Sequence, residues 1–511
     1  MTRRTRIQLA QMAMLAALGA SWAAIGAEYS ALWGRAGEQW SPESRLPDFS
    51  FAGYRRGEEP FRVPASQVAV TAFGAKGDER ADDTAAFQRA IAEGEGKLIV
   101  IPPGRFILSD ALEIRGSRRV LRGAGSERTT LVFTKPLEEL RPRPAKTDGN
   151  QPTTQWSWGG GLIIVGQRRK DPAFAVSVVA EARRGALQLS LAQPRFKPGD
   201  EVELEVRDDA DKSLVKYLYR GQEGDASGLK NWTCRQVFRV RAVSGNTVTL
   251  DRPLRFDARP AWKPVLAPFA PLVTDVGLEG LAFEFPATPY GGHFKELGFN
   301  PVVIESGAAH CWLRDLKIWN ADSGPYVNGS FCTLSGLRLG ADPGRKSAQG
   351  HTGHHGLTFY GHDNLCTNFV LETQFIHDAT VQSAMGCVYC AGRAVNLCLD
   401  HHRWAPYENL FTDLDAGEGT RLFSSSGGGF RGAHTAAGAT FWNIRTAQPV
   451  GWPKNLGIDA INVVGVNSKS PPETHPQGRW FEPIPPAQLR PANLYGAMLE
   501  KRRQGAAPAG P

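Results

Sequence analysis

The sequence has 511 residues, enough for one large domain or for two or three domains of ordinary size. Its 41% apolar and 22% charged residues are ordinary for a globular protein, whereas 56 glycines and 35 prolines indicate many turns between short strands. The formal net charge of +8 favours acidic partners. The sequence has no basic run interleaved with aromatic residues, so it gives no sign of nucleic-acid binding. The seven cysteines, an odd number, argue against a disulfide framework.

The first element along the chain indicates export. The N-terminus begins with the basic residues Arg3, Arg4 and Arg6. An apolar stretch, Met12–Ile25, follows, and then two small residues suited to a cleavage site, Gly26 and Ala27. This order predicts a signal peptide over residues 1–27 and a periplasmic or secreted protein. The apolar stretch is short for a membrane span, so we expect none after cleavage. An uncleaved anchor is the alternative, and the choice between the general and twin-arginine routes stays open.

An extended lead-in over residues 28–65 precedes a predicted capping helix. The stretch "FGAKGDERADDTAAFQRAI" (Phe73–Ile91) combines N-cap chemistry with one apolar face: Asp82, Asp83 and Thr84 for the cap, and Ala86, Phe87, Ala90 and Ile91 for the face. Such a helix can cover the open end of a coil of strands, where unpaired backbone groups invite aggregation. We assign residues 66–170 to this helix and to the first turns of the coil.

The next segment has a different pattern of apolar and polar residues. Between residues 171 and 253, the stretches "FKPGDEVELEV" and "VFRVRAVSGNTVTLDRPL" alternate apolar and polar residues. Ser244, Gly245 and Asn246 supply a hairpin turn inside the second stretch. This pattern predicts a small antiparallel β module inserted into the coil.

A short apolar pattern then recurs between residues 254 and 469: apolar, two residues, apolar, one residue, apolar. Its occurrences are Leu278/Leu281/Phe283, Leu313/Leu316/Ile318, Leu334/Leu337/Leu339, Cys366/Phe369/Leu371, Ala394/Leu397/Leu399, Ala439/Trp442/Ile444 and Ile458/Ile461/Val463. One unit cannot bury its own face, so stacked units must form the core, as in a parallel β-helix solenoid. The predicted class is all-β, with a β-sandwich as the alternative. Residues 470–511 are predicted to form a proline-rich wrap and a disordered tail.

The opening block "VAVTAFGAKGDERADDTAAFQRAI…LIVIPPGRFILSDALEIRGSRRVLRGAGSERTTLVF", about residues 66–133, resembles the pectate lyase superfamily. That superfamily comprises right-handed parallel β-helices, among them polysaccharide lyases, polygalacturonase-related proteins and phage tailspikes. The resemblance implies the fold and a carbohydrate substrate, but no reaction type. The polygalacturonase signature is missing, with "GHTGHHG" its nearest echo, and so is the arginine motif of calcium-dependent pectate lyases. No catalytic residue can therefore be transferred by position.

The densest group of chemistry-bearing residues lies in "LDHHRWAPYENLFTDLD" (Leu399–Asp415). Asp400, His402 and Arg403 would place a carboxylate, a base and a cation together. Trp404 adds a flat apolar face suited to stacking on a sugar ring. We therefore predict that this segment contributes both to catalysis and to substrate binding.

Two pairs of carboxylates are candidates for acting together in catalysis or in cation binding. Asp413 and Asp415 fall on one strand face about 6.7 Å apart, near the spacing of inverting glycosidases. Glu372 and Asp400 each follow the last residue of a triplet, so on consecutive turns they would lie about 5 Å apart. Such a pair can share a proton or hold a divalent cation such as Ca²⁺.

Further candidates come from three other stretches. "FIHDATV" offers a second histidine–aspartate pair, "GHTGHHG" offers substrate-binding histidines, and the glycine-rich "SSSGGGFRGAH" with its preceding arginine offers loop contacts. The candidates are His377 and Asp378 for catalysis, and His354, His355, Arg421, Arg431 and His434 for substrate binding. A metal on His351, His354 and His355 is disfavoured because they form no i, i+4 pair on a helix.

Three functions remain open from the sequence. A polysaccharide lyase would use Arg403 or Arg421 to neutralise a uronate carboxylate and His402 or His377 as base, and the positive net charge agrees with a polyanionic substrate. A glycoside hydrolase would use Asp413 with Asp415, or Glu372 with Asp400. A non-catalytic glycan-binding β-helix would use the same polar residues without chemistry.

Overall fold

The computed structural model describes residues 26–425, 432–453, 456 and 459–506. Its dominant element is a long sheet in which each main strand pairs in parallel with the strand one turn further along the chain. The sixteen strands of this sheet in the described ranges are Gln67–Ala69, Asp78–Asp82, Leu98–Val100, Gly104–Leu108, Arg119–Arg122, Thr129–Phe133, Val276–Glu284, Trp312–Trp319, Thr333–Gly340, Leu365–Thr367, Val370–Leu371, Val388–Ala394, Leu410–Asp415, Thr440–Arg445, Asn462–Val466 and Trp480–Glu482. The chain winds as a parallel β-helix, so the predicted fold class is confirmed.

A second parallel sheet runs alongside the long sheet. Its seven strands, again counted within the described residues, are Leu112–Ile114, Ile163–Val165, Val302–Ile304, Tyr326–Val327, Gly353–Phe359, Phe375–Val381 and Leu399–His401. From Thr333 to Asp415 the strands of the two sheets alternate along the chain. Over this range each turn of the coil therefore contributes to both sheets, and the core lies between them.

The strand register confirms the first four apolar triplets. Leu278, Leu313 and Leu334 are successive register partners in the long sheet, and Leu334 is followed by Cys366. All of these side chains are buried. Like residues therefore stack on like along this part of the core, as the repeat predicts.

The last three triplets are placed wrongly. Ala394 pairs with Leu371 and so closes a triplet, whereas Leu399 lies in the second sheet opposite Ala379. Further along, Phe441 pairs with Val463, which shifts both remaining triplets. Ile458 lies outside the described residues. The pattern fails here because a turn separates residues that the triplet treats as one strand.

The predicted capping helix is Thr84–Glu93. Its four predicted apolar residues are all buried, and the ring of Phe87 meets that of Phe106 edge to face at 5.4 Å. The N-cap position is Asp83, whose side chain makes no capping hydrogen bond, while the Asp82 carboxylate accepts from the N–H of Thr84, the first helical residue, at 3.0 Å. Asp83 instead accepts from backbone amides of the preceding turn, at Lys76 and Gly77.

The predicted antiparallel module is a six-stranded sheet in the described structure. Its strands are Val176–Ser177, Gln188–Ser190, Glu201–Arg207, Thr233–Ser244, Thr247–Leu250 and Val265–Pro268. Ser244 pairs with Thr247 across the predicted hairpin turn. The adjoining helix Ser213–Tyr219 contacts the coil, because the Tyr219 hydroxyl donates to the Pro406 carbonyl at 2.5 Å.

The two ends of the described chain lie together on the long sheet. A helix, Leu494–Ala506, interrupts the predicted proline-rich wrap, and its buried Leu494, Tyr495 and Met498 pack with the lead-in. The Tyr495 hydroxyl donates to the Ala52 carbonyl at 2.9 Å. The predicted disordered end, residues 507–511, lies outside the described residues, as does nearly all of the predicted signal peptide.

The remaining elements are short. Three two-stranded sheets join Glu28–Tyr29 with Leu489–Arg490, Pro144–Lys146 with Pro152–Thr154, and Val273–Thr274 with Ala308–Ala309. Other helical turns are Tyr54–Gly57, Val70–Phe73, Leu137–Leu140, Gln155–Ser157, Pro260–Trp262 and Pro343–Arg345. None of the described helices combines the length and the apolar character needed to cross a membrane. The domain boundaries given above stay predictions.

Candidate functional site

Five imidazoles and one carboxylate meet on the second sheet, and we call them the histidine cluster. Three neighbouring strands and one loop contribute to it. Its members are His354 and His355 from Gly353–Phe359, His377 from Phe375–Val381, Asp400 from Leu399–His401, His402 directly after that strand, and His293 from the loop before Val302. Ring centroids of neighbouring histidines lie between 4.1 Å, for His354 and His355, and 6.0 Å, for His293 and His377.

Parallel register brings these residues together. His355 is the register partner of His377, and Thr380 is that of Asp400. The flanking residues Ala379 and Leu399 are part of the core. Because side chains alternate along a strand, Thr380 and Asp400 point away from the core, as expected for Asp400.

Asp400 organises one half of the cluster. Its Oδ2 accepts a hydrogen bond from Nδ1–H of His402 at 2.9 Å and lies 3.5 Å from Nδ1 of His377. The same oxygen accepts from the Thr380 hydroxyl at 3.4 Å, and Nδ1 of His355 lies 3.4 Å from that hydroxyl. The carboxylate therefore holds Nδ1 of His402 and leaves its Nε2 on the other side of the ring.

A loop brings the other half of the cluster over the sheet. Nε2 of His293 lies 3.0 Å from Nε2 of His354, so the loop and the sheet meet through these two rings. Phe294 stacks on His293 at 3.7 Å and lies 5.6 Å from Trp158. Glu296 Oε1 lies 3.5 Å from Nδ1 of His354, behind the ring.

Burial decides the charge of the cluster. Loss of water lowers the pKa of His377 to about 3, although the nearby Asp400 carboxylate acts in the opposite direction. Burial, with the neighbouring imidazoles, lowers the pKa of His293 to about 4 and that of His354 and His355 well below the usual value. These four rings are neutral at pH 7 and offer lone pairs rather than positive charge.

Burial acts on Glu296 in the other sense. It raises the pKa of this carboxyl to about 7, against hydrogen bonds from the Tyr290 hydroxyl and from Ser157 Oγ, the latter at 2.7 Å. The carboxyl group is thus held rigidly, and its protonation changes near neutral pH.

This arrangement supports two kinds of chemistry. An imidazole whose Nδ1–H is held by a carboxylate is oriented to accept a proton at Nε2. Grouped neutral imidazoles are also ligands for transition metals. Two triads have ligand atoms within 4.8 Å of one another: His293, His354 and His377, and His377, Asp400 and His402.

The N-terminal part of the coil is similar to a known family. Residues 67–156 match the family described as "Rhamnogalacturonase A/epimerase, pectate lyase-like". Over this part the chain is similar to pectate lyase-like proteins, and its parallel β-helix is the fold that this similarity implies. A comparison with curated proteins gives no significant match.

Solved structures similar to this chain share little sequence with it. The tailspike protein gp49 of Pseudomonas phage LKA1 is 14% identical over 78% of this chain and 63% of its own, with a TM-score of 0.47. The A-module of the Azotobacter vinelandii mannuronan C-5 epimerase AlgE6 is 11% identical over 78% and 79%, with a TM-score of 0.35. A Thermotoga maritima exopolygalacturonase is 11% identical over 80% and 83%, with a TM-score of 0.32. The chain thus spans less than two thirds of the tailspike.

Five of the predicted site residues lie in the cluster: His354, His355, His377, Asp400 and His402. Asp378, the neighbour of His377, does not face Asp400. Its carboxylate accepts from the backbone N–H of Phe375 and of Cys398, at 2.9 and 2.8 Å, and pairs with Arg421 at 3.3 Å. Burial raises the pKa of Asp378 to about 6.

Arg421 is committed to the same structural contacts. Besides Asp378, its guanidinium donates to the carbonyls of Phe375 and Ile376 at 2.6 and 2.8 Å. It holds the chain at the start of the strand Phe375–Val381. These contacts replace the predicted role of Arg421 in neutralising a substrate carboxylate.

The predicted carboxylate pair of Glu372 and Asp400 is wrong. Glu372 follows Leu371 in the long sheet and binds Arg338 with a 2.7 Å hydrogen bond, whereas Asp400 lies in the second sheet. The two residues are therefore not on consecutive strands of one sheet. The error arises because the pattern assigns the apolar triplet ending at Leu399 to the long sheet. The calcium site predicted on Glu372 and Asp400 is therefore also wrong.

Asp413 and Asp415 also lie in the long sheet, away from the strands that carry the cluster. Asp413 has a positive φ of 54°, which interrupts regular alternation at this point, and it pairs with Arg445 at 2.9 Å. Asp415 is exposed and accepts from the Gly417 N–H at 3.1 Å.

Two other predicted substrate-binding residues lie where the coil meets the antiparallel module. Trp404 is half-buried beside Gly228 of the module segment. His434 is buried against the edge of the Tyr219 ring, and burial, with the positive charge of Arg403, lowers its pKa. Arg431 lies outside the described residues.

Sequence reasoning missed His293 and Glu296. Both lie in "PYGGHFKELGFN", a loop without apolar periodicity, so no register could place it over the second sheet. The available signal was compositional: a histidine and a glutamate three residues apart after two glycines. Such loops carry function when a rigid scaffold positions them.

Proposed function

We propose that this protein is a carbohydrate-active enzyme that cleaves a uronate-containing polysaccharide by β-elimination, with His402 as the base. The observation that carries the proposal is the 2.9 Å hydrogen bond from Nδ1–H of His402 to buried Asp400. This bond holds the ring proton on Nδ1, so the basic lone pair of the imidazole is on Nε2. His402 itself is buried, with 8% of its surface exposed, and directly follows the strand Leu399–His401.

The reaction balances with this one base. Nε2 of His402 takes the proton from C5 of the uronate, and the electron pair of that C–H bond becomes the C4=C5 double bond. The C4–O bond breaks, and the departing sugar oxygen takes a proton from the imidazolium. Asp400 stabilises the imidazolium between these steps, because its carboxylate is already hydrogen-bonded to the ring.

The structure gives less support to hydrolysis by two carboxylates. Glu372 and Asp400 lie in different sheets, and Asp413 is paired with Arg445. A hydrolase needs an acid and a base on opposite sides of one glycosidic bond. The histidine cluster offers one outward carboxylate that is already bonded to imidazoles, so elimination suits it better.

The charge of the chain agrees with an acidic substrate. The formal net charge of +8 raises the local concentration of polyanions around the protein. We propose that the enzyme meets this substrate after export, as the arginine-led apolar stretch at residues 3–27 predicts.

The test is incubation of the full chain with a panel of uronate polymers and neutral polymers of matched size. We expect ultraviolet absorbance from the new conjugated double bond with at least one uronate polymer. His402→Ala should lower this rate by about 10²–10⁴-fold, the usual contribution of a general base. His475→Ala, at an exposed position in the C-terminal segment, is the matched control and should keep the wild-type rate.

Each other result would overturn elimination in a distinct way. New reducing ends without ultraviolet absorbance would mean hydrolysis. Exchange of the C5 proton with solvent deuterium, without chain cleavage, would mean epimerisation. Retained affinity for a polymer with no product of any kind would mean a binding protein.

A further inference from the structure

Three of the cluster imidazoles come from three separate elements and converge on one point. His354 and His377 lie on adjacent strands of the second sheet, and His293 comes from the loop above them. Each offers a ligand nitrogen, and these three nitrogens lie within 4.8 Å of one another. We propose that His293, His354 and His377 bind one divalent transition-metal ion of the zinc class through their Nε2 atoms.

The distances are close to those of a metal site. Zinc–nitrogen bonds of about 2.0–2.1 Å place neighbouring ligand nitrogens of a tetrahedron about 3.3 Å apart. Nε2 of His293 and Nε2 of His354 are already 3.0 Å apart. The third ring, His377, lies with its centroid 5.3 Å from that of His354, and its ligand nitrogen is within 4.8 Å of the other two.

The outer atoms of the rings support the same assignment. Histidines that bind metals usually direct the other ring nitrogen at a carboxylate or carbonyl, which fixes the ring and raises its basicity. Nδ1 of His354 lies 3.5 Å from Glu296, and Nδ1 of His377 lies 3.5 Å from Asp400. Both rings thus have a carboxylate behind Nδ1, and Nε2 is the atom left for a metal.

The donor type selects the metal. Neutral imidazoles suit Zn²⁺, Cu²⁺, Ni²⁺ and Fe²⁺, whereas Ca²⁺ and Mg²⁺ prefer oxygen ligands. The three ligands are all imidazole nitrogens from side chains that converge within 4.8 Å of one another. The proposed ion therefore differs in class and in place from the calcium ion predicted on Glu372 and Asp400.

A metal here would also supply what the proposed reaction needs. Elimination requires a positive charge near the uronate carboxylate, and a divalent ion on the triad would supply one. An ion on the triad would lie beside His402, whose ring centroid is 5.3 Å from that of His377. This catalytic role rests on the proposed function, whereas binding of the ion rests on the triad alone.

The test measures binding without substrate. Untagged full-length protein is stripped with a chelator and titrated with Zn²⁺ by calorimetry and with Co²⁺ by visible absorption. We expect one Zn²⁺ per chain and cobalt bands of a nitrogen-coordinated, low-symmetry site. His293→Ala should abolish this binding, and the exposed position of His293 makes the variant suitable for a folded-state comparison.

Two further variants make the assignment specific. Glu296→Gln removes the carboxylate behind His354 and should weaken Zn²⁺ binding about 10–100-fold. His475→Ala should bind like the wild type. Absence of Zn²⁺ and Co²⁺ binding in folded protein, or binding that His293→Ala leaves intact, would overturn the proposal. A metal-binding protein that is inactive on every polymer would overturn the proposed function instead and leave the site standing.

Discussion

Asp400 and His402, two residues apart in the chain, form the 2.9 Å hydrogen bond that orients the outer edge of the histidine cluster. Asp400 belongs to the strand Leu399–His401 and is fully buried, whereas His402 lies just past the strand end. The strand thus fixes the carboxylate, and the following turn presents the ring. A scaffold of this kind keeps a reactive side chain in one tautomer and one orientation.

Asp400→Asn tests this relationship. An amide brings an N–H donor and no negative charge, so it stabilises an imidazolium poorly. We expect kcat to fall by about 10²–10⁴-fold while KM changes little. Steady-state kinetics on the best uronate polymer, with thermal unfolding of the same samples, makes the measurement. Asp211→Asn, exposed on the antiparallel module, is the control. A change confined to KM would assign Asp400 to substrate binding.

Asp413→Asn combined with Asp415→Asn tests the rejected carboxylate pair. Because both residues lie in the long sheet and Asp413 is held by Arg445, we expect unchanged product formation. Stability should fall by no more than about 1 kcal/mol, the usual value of a partly exposed ion pair. Activity assays and urea unfolding check the two statements. Loss of activity in a folded double variant would restore the hydrolase.

Composition predicted the cluster better than it predicted the pairs. His354, His355, His377, Asp400 and His402 were all candidates because histidines and carboxylates crowd these stretches. Their convergence depends on which residues share a register, and a turn hidden in a continuous apolar pattern changes that. The pair of Glu372 and Asp400 failed for this reason.

The sequence pattern predicts the stacked apolar positions correctly up to Leu371, and its later triplets are wrong. The next turn of the coil places Gly392 at the middle position, opposite Leu414. The ring of Phe369, the middle residue of the preceding triplet, occupies the space that a side chain at Gly392 would need. A large residue beside a small one keeps the core filled, but a pattern of apolar letters cannot find such compensation.

Gly392→Ala follows from this packing. An added methyl group would overlap the Phe369 ring inside a filled core, so we expect a loss of about 1–3 kcal/mol in the free energy of unfolding. Gly344→Ala is the matched control, since no atom lies within 4 Å of its added Cβ. Urea unfolding of the two variants and the wild type gives the comparison. Equal stability of the two variants would show that the ring moves without cost.

His310 gives the chain a defined sensitivity to acid. It is buried between Phe269 and Phe331, and burial, with the charges of Arg55 and Arg56, lowers its pKa to about 3 against the opposing effect of Asp275. As the pH falls, His310 of the unfolded chain therefore takes up a proton near pH 6.5, whereas His310 of the folded chain takes it up only near pH 3. Stability falls as the pH drops through this window.

His310→Asn removes that proton while keeping a residue that tolerates the positive φ of 54° at this position. Each pH unit below 6.5 costs the wild type about 1.4 kcal/mol through this histidine, or about 2 kcal/mol at pH 5. We expect the wild type to lose about that much more stability than the variant between pH 8 and pH 5. Urea unfolding at both pH values measures it, because the buried amide lowers the stability of the variant equally at each. Parallel losses in the two proteins would show that His310 is protonated in the folded chain.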